Sequence, residues 1–284
     1  MNSVEHAADT TAAMRRLLLV AALLVLIMGI PLFIASTATE TYFAWTIATP
    51  LTAAFLGASY WAAGILEFLA SREHKWSNAR IAVPAVFLFT VLTFVITLIH
   101  IDRFHFSAKL AITLAVTWAW LIVYAVVPVV MVIIMIFQRR DRGGDLPRTA
   151  PLTDVMRFML AVQGAVLGIA GLILLLAPAA AIPLWPWSLT PLTAHAIGAW
   201  LLSVGFAVIH AVWENDYRRI RSFSVAYLVL AVLQLFALAR FAADFSWGTI
   251  AGTVYVAFLS WMLLVGIALN LARRPTSPVA EPLA

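Results

Sequence analysis

The chain has 284 residues, of which 64% are hydrophobic and 11% are charged, and its mean hydropathy is +0.99. A soluble globular domain usually has about 25% charged residues, so this composition excludes one and predicts a multi-pass membrane protein in contact with the lipid bilayer. The formal net charge of +5 does not indicate nucleic-acid binding, because basic residues beside apolar segments act as topology signals, and the absence of cysteine excludes disulfides and thiolate metal sites.

The first half of the chain contains four apolar segments. Residues 1–13 are polar and predict a short cytoplasmic amino-terminal tail, which is followed by Arg15 and Arg16. The apolar run at residues 17–35 exceeds the ~7 to 15 apolar residues of a cleaved signal peptide, so it predicts a retained first span. Further spans are predicted at residues 50–70, 81–99 and 110–137.

Two of these spans carry local signals. Thr49 and Pro50 predict a helix start, because threonine caps helix amino termini and proline at the first helical position loses no hydrogen bond. The span at residues 110–137 would extend about 42 Å as a straight helix, against a hydrocarbon core of about 30 Å. We therefore expect this span to tilt, or to kink at Pro128.

Residues 139–152 hold four arginines, two glycines and two prolines, and they predict a cytoplasmic linker between two four-helix repeats, residues 14–138 and 153–274. The second repeat contains apolar segments at residues 155–177, 191–213, 223–241 and 248–272. Residues 275–284 include three prolines and predict a disordered carboxy-terminal tail.

The two halves are related by an internal duplication. The sequence Thr-Pro-Leu-Thr-Ala occurs at residues 49–53 and again at 190–194, and the same offset of 141 residues carries Gly57 onto Gly198. Repetition at a fixed offset is the signature of a repeated structural unit. The fold class predicted from it is an all-α integral membrane protein of eight transmembrane helices, arranged as two parallel, same-orientation, four-helix repeats.

Lysine and arginine are distributed unequally over the predicted loops. One side of the membrane receives 15 of the 18 basic residues, while the other receives Arg103, Lys109 and Arg240. By the positive-inside rule this bias predicts that both termini and the central linker are cytoplasmic, with the chain in a bacterial plasma (inner) membrane. Because each half then contains an even number of spans, the two halves insert with the same orientation.

The duplicated motif, the Trp185-Pro-Trp187 segment before its second copy and the basic loops support one resemblance. In these features the chain resembles uncharacterised bacterial multi-pass membrane proteins with a tandem four-helix repeat. The resemblance covers most of the chain. It implies the fold described above and no particular activity.

Small and aromatic residues predict where the helices pack. Small side chains crowd the second and sixth spans, which we expect at the centre of the bundle. Gly164, Gly168 and Gly171 form a second close-packing face, suited either to contacts within the chain or to a homodimer. Trp185 and Trp187 are expected in the aromatic belt at the outer membrane interface, with an aromatic lid over a lipid-like ligand as the alternative.

Polar residues within the spans are the candidate functional residues, namely Glu67, His210, Glu214 and Gln234. None of the three ionisable ones lies near the predicted midplane, which argues against a proton-coupled pump or a voltage sensor. Glu67 and His210 could pair across the axis between the halves; solvated side chains near the membrane boundary are the simpler interpretation. His210 and Glu214 have the spacing of metal ligands, but a zinc hydrolase needs about three protein ligands, so no metal site and no catalytic residue is predicted.

His100 and His195 are the candidate cofactor residues, because both are expected at a similar outer depth on different spans, where they could ligate one haem. The tandem four-helix halves are similar to those of haem A synthase, but its cysteine pair and repeat-equivalent histidines are absent here. We therefore predict no cofactor, with haem as the alternative.

The sequence contains no signature of a hydrolase or of a nucleotide-binding loop, so it argues against an enzyme without excluding one. The leading interpretation is a non-catalytic membrane subunit or scaffold, in a homo-oligomer or a membrane complex. The alternative is a transporter or binder of a lipophilic small molecule or lipid, and a membrane enzyme fits least well. Two basic clusters are suited to anionic lipid headgroups, or act as topology signals alone: Arg72, Lys75 and Arg80, and Arg218, Arg219 and Arg221.

Overall fold

The computed structural model describes residues 7–140 and 143–272, and within these ranges the structure is helical without a β-strand. The carboxy-terminal tail at residues 275–284, for which disorder is predicted, lies outside the described residues. Eight long helices follow one another: α1 (Ala12–Phe33), α2 (Pro50–Ser71), α3 (Val83–Ile99), α4 (Ala111–Gln138), α5 (Asp154–Leu176), α6 (Pro191–Glu214), α7 (Arg221–Arg240) and α8 (Ile250–Leu271).

Seven of the helices in the described ranges are long and apolar enough to cross a lipid bilayer. The other long helix, α3, has 17 residues, which extend about 25 Å against a hydrocarbon core of about 30 Å. The predicted helical, multi-pass architecture is therefore confirmed by the apolar helices, and the predicted count of eight spans depends on α3.

Threonine caps set the starts of the first helix of each half. The Thr11 hydroxyl accepts a hydrogen bond from the Met14 amide at 3.3 Å, so α1 begins at Ala12, before its apolar run. Thr153 accepts from the Met156 amide at 3.2 Å in the same way and starts α5. Each cap satisfies an amide that has no partner within the helix.

The two copies of the Thr-Pro motif start helices by different means. At α6, Thr190 and Thr193 form a reciprocal capping box, with Pro191 in the first turn. At α2, Thr49 occupies the capping position, but its hydroxyl donates instead to the Ser188 carbonyl at 3.0 Å. The predicted helix starts are therefore confirmed, and in the first copy the threonine joins the two halves.

The helices pack side by side in a closed ring that interleaves the two halves of the sequence. Following the contacts around the ring, the order is α1, α2, α7, α8, α5, α6, α3, α4 and then α1 again. α2 also contacts α6 across the ring, and α2 is the most buried of the candidate spans. Small side chains allow this close central packing.

Glycine brings the backbones of α5 and α6 into contact. A Cβ atom on Gly205 would lie 2.7 Å from the Gly168 nitrogen, and one on Gly171 would lie 2.5 Å from the Leu202 nitrogen. Of the two uses predicted for the close-packing face of α5, the structure therefore supports contacts within the chain.

The ends of the bundle differ in chemistry. We call the end that holds Trp45 and Trp187 the aromatic end, and the end that holds Arg80 and Arg219 the basic end. Both tryptophans are 3% exposed, because the connections between helices pack over them: Trp45 lies 5.2 Å from the Phe104 ring, and Trp187 lies 6.2 Å from the Phe245 ring, both between centroids. Trp187 is thus a core residue, whereas the sequence predicts it in the aromatic belt.

Backbone hydrogen bonds fasten the segments before α1 and α5 to the basic end. The Trp76 amide donates to the Ala8 carbonyl at 3.0 Å, and the Tyr217 amide donates to the Ala150 carbonyl at 2.8 Å. The Ala8 amide in turn donates to the Gly144 carbonyl at 2.9 Å. Residues 7–11 and 143–152 therefore pack against the loops that follow α2 and α6.

Candidate functional site

The main cavity lies between α1, α2, α3, α4, α6 and α7, so both halves of the sequence line it. It encloses about 100 Å³ and is open on one side. Most of its lining is apolar, and the polar side chains that line it are Ser59, Glu67, Thr90, Tyr124, Ser203 and Tyr227.

Small residues on the central helices leave this space open. Ala62 and Ala63 face the cavity from α2, and Ala207 faces it from α6. Elsewhere on α2, Gly57 packs so tightly that a Cβ atom there would lie 2.5 Å from the Phe33 nitrogen. The small side chains thus produce close packing along one part of α2 and a cavity along another.

Glu67 is the one charged side chain among the residues that line the cavity. The residue is 2% exposed, and its Oε2 atom is buried without a hydrogen-bond partner among the described residues. An isolated buried charge is costly unless it is paired. The carboxyl group is therefore the polar group at this site that most requires a partner.

The other polar groups of the lining are mostly satisfied within the chain. The Tyr124 hydroxyl hydrogen-bonds the Tyr60 hydroxyl at 2.5 Å, and the Tyr227 hydroxyl donates to Gln163 Oε1 at 2.8 Å. The exception is Ser203, whose buried hydroxyl has no partner among the described residues. Glu67 and Ser203 are thus the two side chains of this wall with buried polar atoms left for a ligand.

Aromatic rings form the wall between α3, α4 and α6. Phe89 and Trp200 are the closest pair, with ring centroids 3.9 Å apart, and Phe89 also lies 6.0 Å from the Tyr124 ring at a near-perpendicular angle. These contacts join residues distant in sequence and hold the wall rigid. The sequence interpretation did not identify the wall, because its members carry no motif.

Gln234 joins α7 to α2 in the interior. Its side-chain amide donates to the Phe55 carbonyl at 3.1 Å and to the Ser59 hydroxyl at 3.2 Å. The residue lines a smaller cavity of about 40 Å³ between α2, α5, α6, α7 and α8, which shares Ser59, Trp200, Val204 and Leu230 with the main cavity. Gln234 therefore holds α7 against α2 beside the smaller cavity.

Glu214 and His210 belong to an ion network at the basic end. Arg80 binds Glu214 with two hydrogen bonds, from Nε to Oε1 at 2.5 Å and from Nη2 to Oε2 at 2.9 Å. Arg219 Nη1 donates to the same carboxylate at 3.1 Å, and His210 Nε2 lies 3.3 Å from Oε1. His210 therefore pairs with Glu214, four residues along the same helix, and is not paired with Glu67.

Arg80 extends this network to the linker. It also forms two hydrogen bonds to Asp145, at 2.7 and 2.8 Å. Burial opposes the charge of Arg80, but the hydrogen bonds to Glu214 and Asp145 outweigh burial and raise the pKa of the guanidinium above its ordinary value. Arg80 and Arg219 are therefore engaged in ion pairs, which leaves Arg72, Arg218 and Arg221 as the exposed arginines of the two basic clusters.

His100 and His195 meet at the aromatic end, as their predicted depths indicate. His100 Nε2 lies 2.8 Å from His195 Nδ1, which is a direct hydrogen bond between the rings. Burial is the main reason that the pKa of His100 is below its ordinary value; Asp102 raises it and Arg103 lowers it to smaller extents.

This geometry does not fit two axial ligands of one haem. Metal–imidazole bonds are about 2 Å long, so two nitrogens on opposite sides of one ion lie about 4 Å apart. The spacing between His100 and His195 leaves no room for iron and a porphyrin plane. Among the residues the structure describes, no group of three or more histidine, aspartate or glutamate side chains could hold a metal ion.

Comparison with known proteins provides no relative from which a role for these residues could be transferred. No protein-family model, no curated protein and no solved structure matches the chain.

Proposed function

We propose that the chain spans a bacterial plasma membrane eight times, as two four-helix halves of the same orientation, and that it binds a lipophilic small molecule in the main cavity. The observation that carries the binding proposal is the cavity itself, apolar and bounded by both halves, with two unpartnered polar side chains, Glu67 and Ser203, in its wall. An apolar pocket with a few convergent polar groups is typical of small-molecule sites.

The course of α3 supports its assignment as the eighth span. Arg80, just before α3, binds Glu214 at the last residue of α6. His100, just after α3, binds His195 in the first turns of α6. α3 therefore extends along most of α6, which is itself long enough to cross the bilayer.

One contact that recurs in both halves supports their equivalence, with Trp76 matched to Tyr217 at an offset of 141 and Ala8 matched to Ala150 at an offset of 142. The pairs Trp76–Ala8 and Tyr217–Ala150 form the same backbone hydrogen bond in the two halves. The counterparts in the two halves are α1 and α5, α2 and α6, α3 and α7, and α4 and α8. Exchanging each helix for its counterpart leaves the order of the helices around the ring unchanged. Such a pattern is expected of a two-fold axis along the membrane normal, with both termini on the cytoplasmic side.

Native mass spectrometry of gently solubilised protein tests the binding proposal. We expect a lipophilic molecule to remain bound to the wild-type chain. Ala207→Leu places extra volume in the cavity, so we expect about tenfold lower occupancy. Ala115→Leu is the control, because Ala115 is exposed on the outer surface of α4.

Equal occupancy in the wild type and in Ala207→Leu would contradict the proposal. A fixed second polypeptide, retained in place of any small molecule, would favour the scaffold interpretation instead. The same spectra give the oligomeric state.

A further inference from the structure

We propose that the ligand of the main cavity is a lipophilic cation, an apolar body that carries a protonated amine or a quaternary ammonium group, and that Glu67 is its counter-ion. This inference rests on the proposed binding function and specifies its ligand class. Its basis is the contrast between two buried carboxylates of the same chain, Glu67 and Glu214.

Glu214 illustrates how this chain compensates a buried carboxylate. Its residue is 0% exposed, and Arg80, Arg219 and His210 all contact its oxygens. Glu67 is 2% exposed, and among the described residues no lysine, arginine or histidine forms an ion pair with it. A buried carboxyl group without a cation from the chain takes up a proton unless a ligand supplies the cation.

The cavity wall excludes the opposite charge. No lysine, arginine or histidine lines the cavity among the described residues, so an anionic headgroup would meet the Glu67 carboxylate with nothing to offset the repulsion. The ligand that fits is therefore positively charged or neutral.

The aromatic wall favours the cation over a neutral donor. Trp200, Tyr124 and Phe223 line the same cavity as Glu67. Aromatic faces attract an ammonium group within about 6 Å, and this attraction grows when the group is desolvated. A cation in this cavity would thus gain from the carboxylate and from the rings together.

The carboxylate belongs to one half only, as expected for a site with a single function. At the duplication offset, the position of Glu67 is occupied in the second half by Val208, which is fully buried. The smaller cavity has the uncharged amide of Gln234 in its wall and no charged residue. The charge therefore distinguishes the main cavity from its counterpart.

The cavity also adjoins the outer surface of the bundle. Leu24 on α1 lines the cavity and is 37% exposed, and Val123 and Val127 on α4 form the facing edge. α1 and α4 contact each other only over a short length. A lipophilic cation dissolved in the membrane would reach Glu67 between these two helices.

The test compares three radiolabelled probes with one ten-carbon chain, binding to the protein in phosphatidylcholine nanodiscs at pH 7. Decylamine is a cation, decanol is neutral and decanoate is an anion. We expect decylamine to bind the wild-type protein at least tenfold more tightly than decanol, and decanoate to bind least.

Glu67→Gln retains the side-chain shape and removes the charge. We expect this variant to weaken decylamine binding by about 30-fold or more while decanol binding is unchanged. Glu40→Gln is the matched control, because it makes the same change in net charge at an exposed position. The wild-type comparison of the probes requires no variant, so it tests the inference even if Glu67→Gln does not fold.

Equal binding of decylamine and decanol by the wild type would overturn the inference, and so would undiminished decylamine binding by Glu67→Gln. In either case, the proposed binding function would still be supported if the wild type bound decanol and Ala207→Leu bound it more weakly. Absence of binding by all three probes would contradict the inference and the proposed function together.

Discussion

At the scale of single residues, the chain places its charges where partners from distant segments meet them. Glu214 binds Arg80, which is 134 residues away in sequence and precedes a different helix. Asp145 from the linker joins the same guanidinium, so one cluster connects α6, the loop before α3 and the linker. Such a cluster fixes loop positions that apolar packing alone does not specify.

Removing the Glu214 charge is expected to destabilise the fold strongly. In Glu214→Gln, two mostly buried arginines lose their shared carboxylate, and we expect a loss of about 3 kcal/mol in the free energy of unfolding. Titration with a denaturing detergent, followed by tryptophan fluorescence, measures this change.

Asp154→Asn provides the comparison for Glu214→Gln. The Asp154 side chain is 99% exposed and lies 3.5 Å from Arg157, so removal of its charge should cost less than about 1 kcal/mol. Equal effects of the two substitutions would mean that the Glu214 network contributes no more than a surface pair.

The sequence identified Glu67, His210 and Glu214 as unusual, because ionisable residues are rare within apolar spans. It offered His210 as a partner of Glu67, which is wrong, and it gave Glu214 no partner outside its own helix. The contact of Glu214 with His210 follows from their four-residue spacing on one helix. The contact of Glu214 with Arg80 could not be predicted, because no rule of local sequence spacing connects the two residues. The contact of His100 with His195 could be predicted in part, because both residues are expected at a similar depth.

At the scale of elements, helix ends and close approaches are set by short-range chemistry. The predicted spans coincide with the long helices, and α1 starts earlier than its apolar run because Thr11 caps it. The close-packing face of α5 was also evident from its glycines. Its partner was not, because a motif of small residues indicates a close contact without specifying the other helix.

The two glycines at the crossing of α5 and α6 are expected to respond oppositely to alanine. A Cβ atom on Gly205 would lie 2.7 Å from the Gly168 nitrogen and 2.9 Å from the Gly164 carbonyl oxygen. We therefore expect Gly205→Ala to separate the helices and to cost about 1 to 3 kcal/mol of unfolding free energy.

Gly168→Ala is the matched substitution, because a Cβ atom there would meet nothing within 4 Å. Alanine favours helix over glycine by up to about 1 kcal/mol, so this variant should be neutral or more stable. The same detergent titration measures both variants. A Gly205→Ala variant as stable as Gly168→Ala would refute the close crossing of the two backbones.

At the scale of the whole molecule, the sequence establishes the order of the apolar segments but not their neighbours in space. Composition alone predicts the membrane class, and the duplication predicts two related halves. Neither indicates that α3 packs against α6 and α7 against α2, because sequence order does not determine which helices touch in a bundle. The cavity between the halves follows from this arrangement and was therefore not predictable in position.

The membrane topology of the chain depends on whether α3 crosses the membrane. If it does, single cysteines at His74 and Thr149 should both face the cytoplasm, and one at Ser107 should face outward. Labelling of intact cells with an impermeant maleimide should then modify only the cysteine at position 107. The absence of native cysteine removes any background.

The opposite labelling pattern is informative. If α3 does not cross, positions 74 and 107 share a side and position 149 lies opposite. Labelling of position 149 alone from outside would therefore mean that α3 does not cross and that the predicted location of the linker is wrong.

The interleaved ring has a consequence for biogenesis. The ribosome completes α3 well before it begins α6, the helix against which α3 packs. At about 5 to 20 residues per second, the roughly 90 residues between them take several seconds to synthesise. During that interval α3, the shortest of the eight long helices, has to wait at the insertion machinery or in lipid without its partner. The ring of helices therefore closes only after the second half has been synthesised, when α7 packs against α2 and α6 packs against α3.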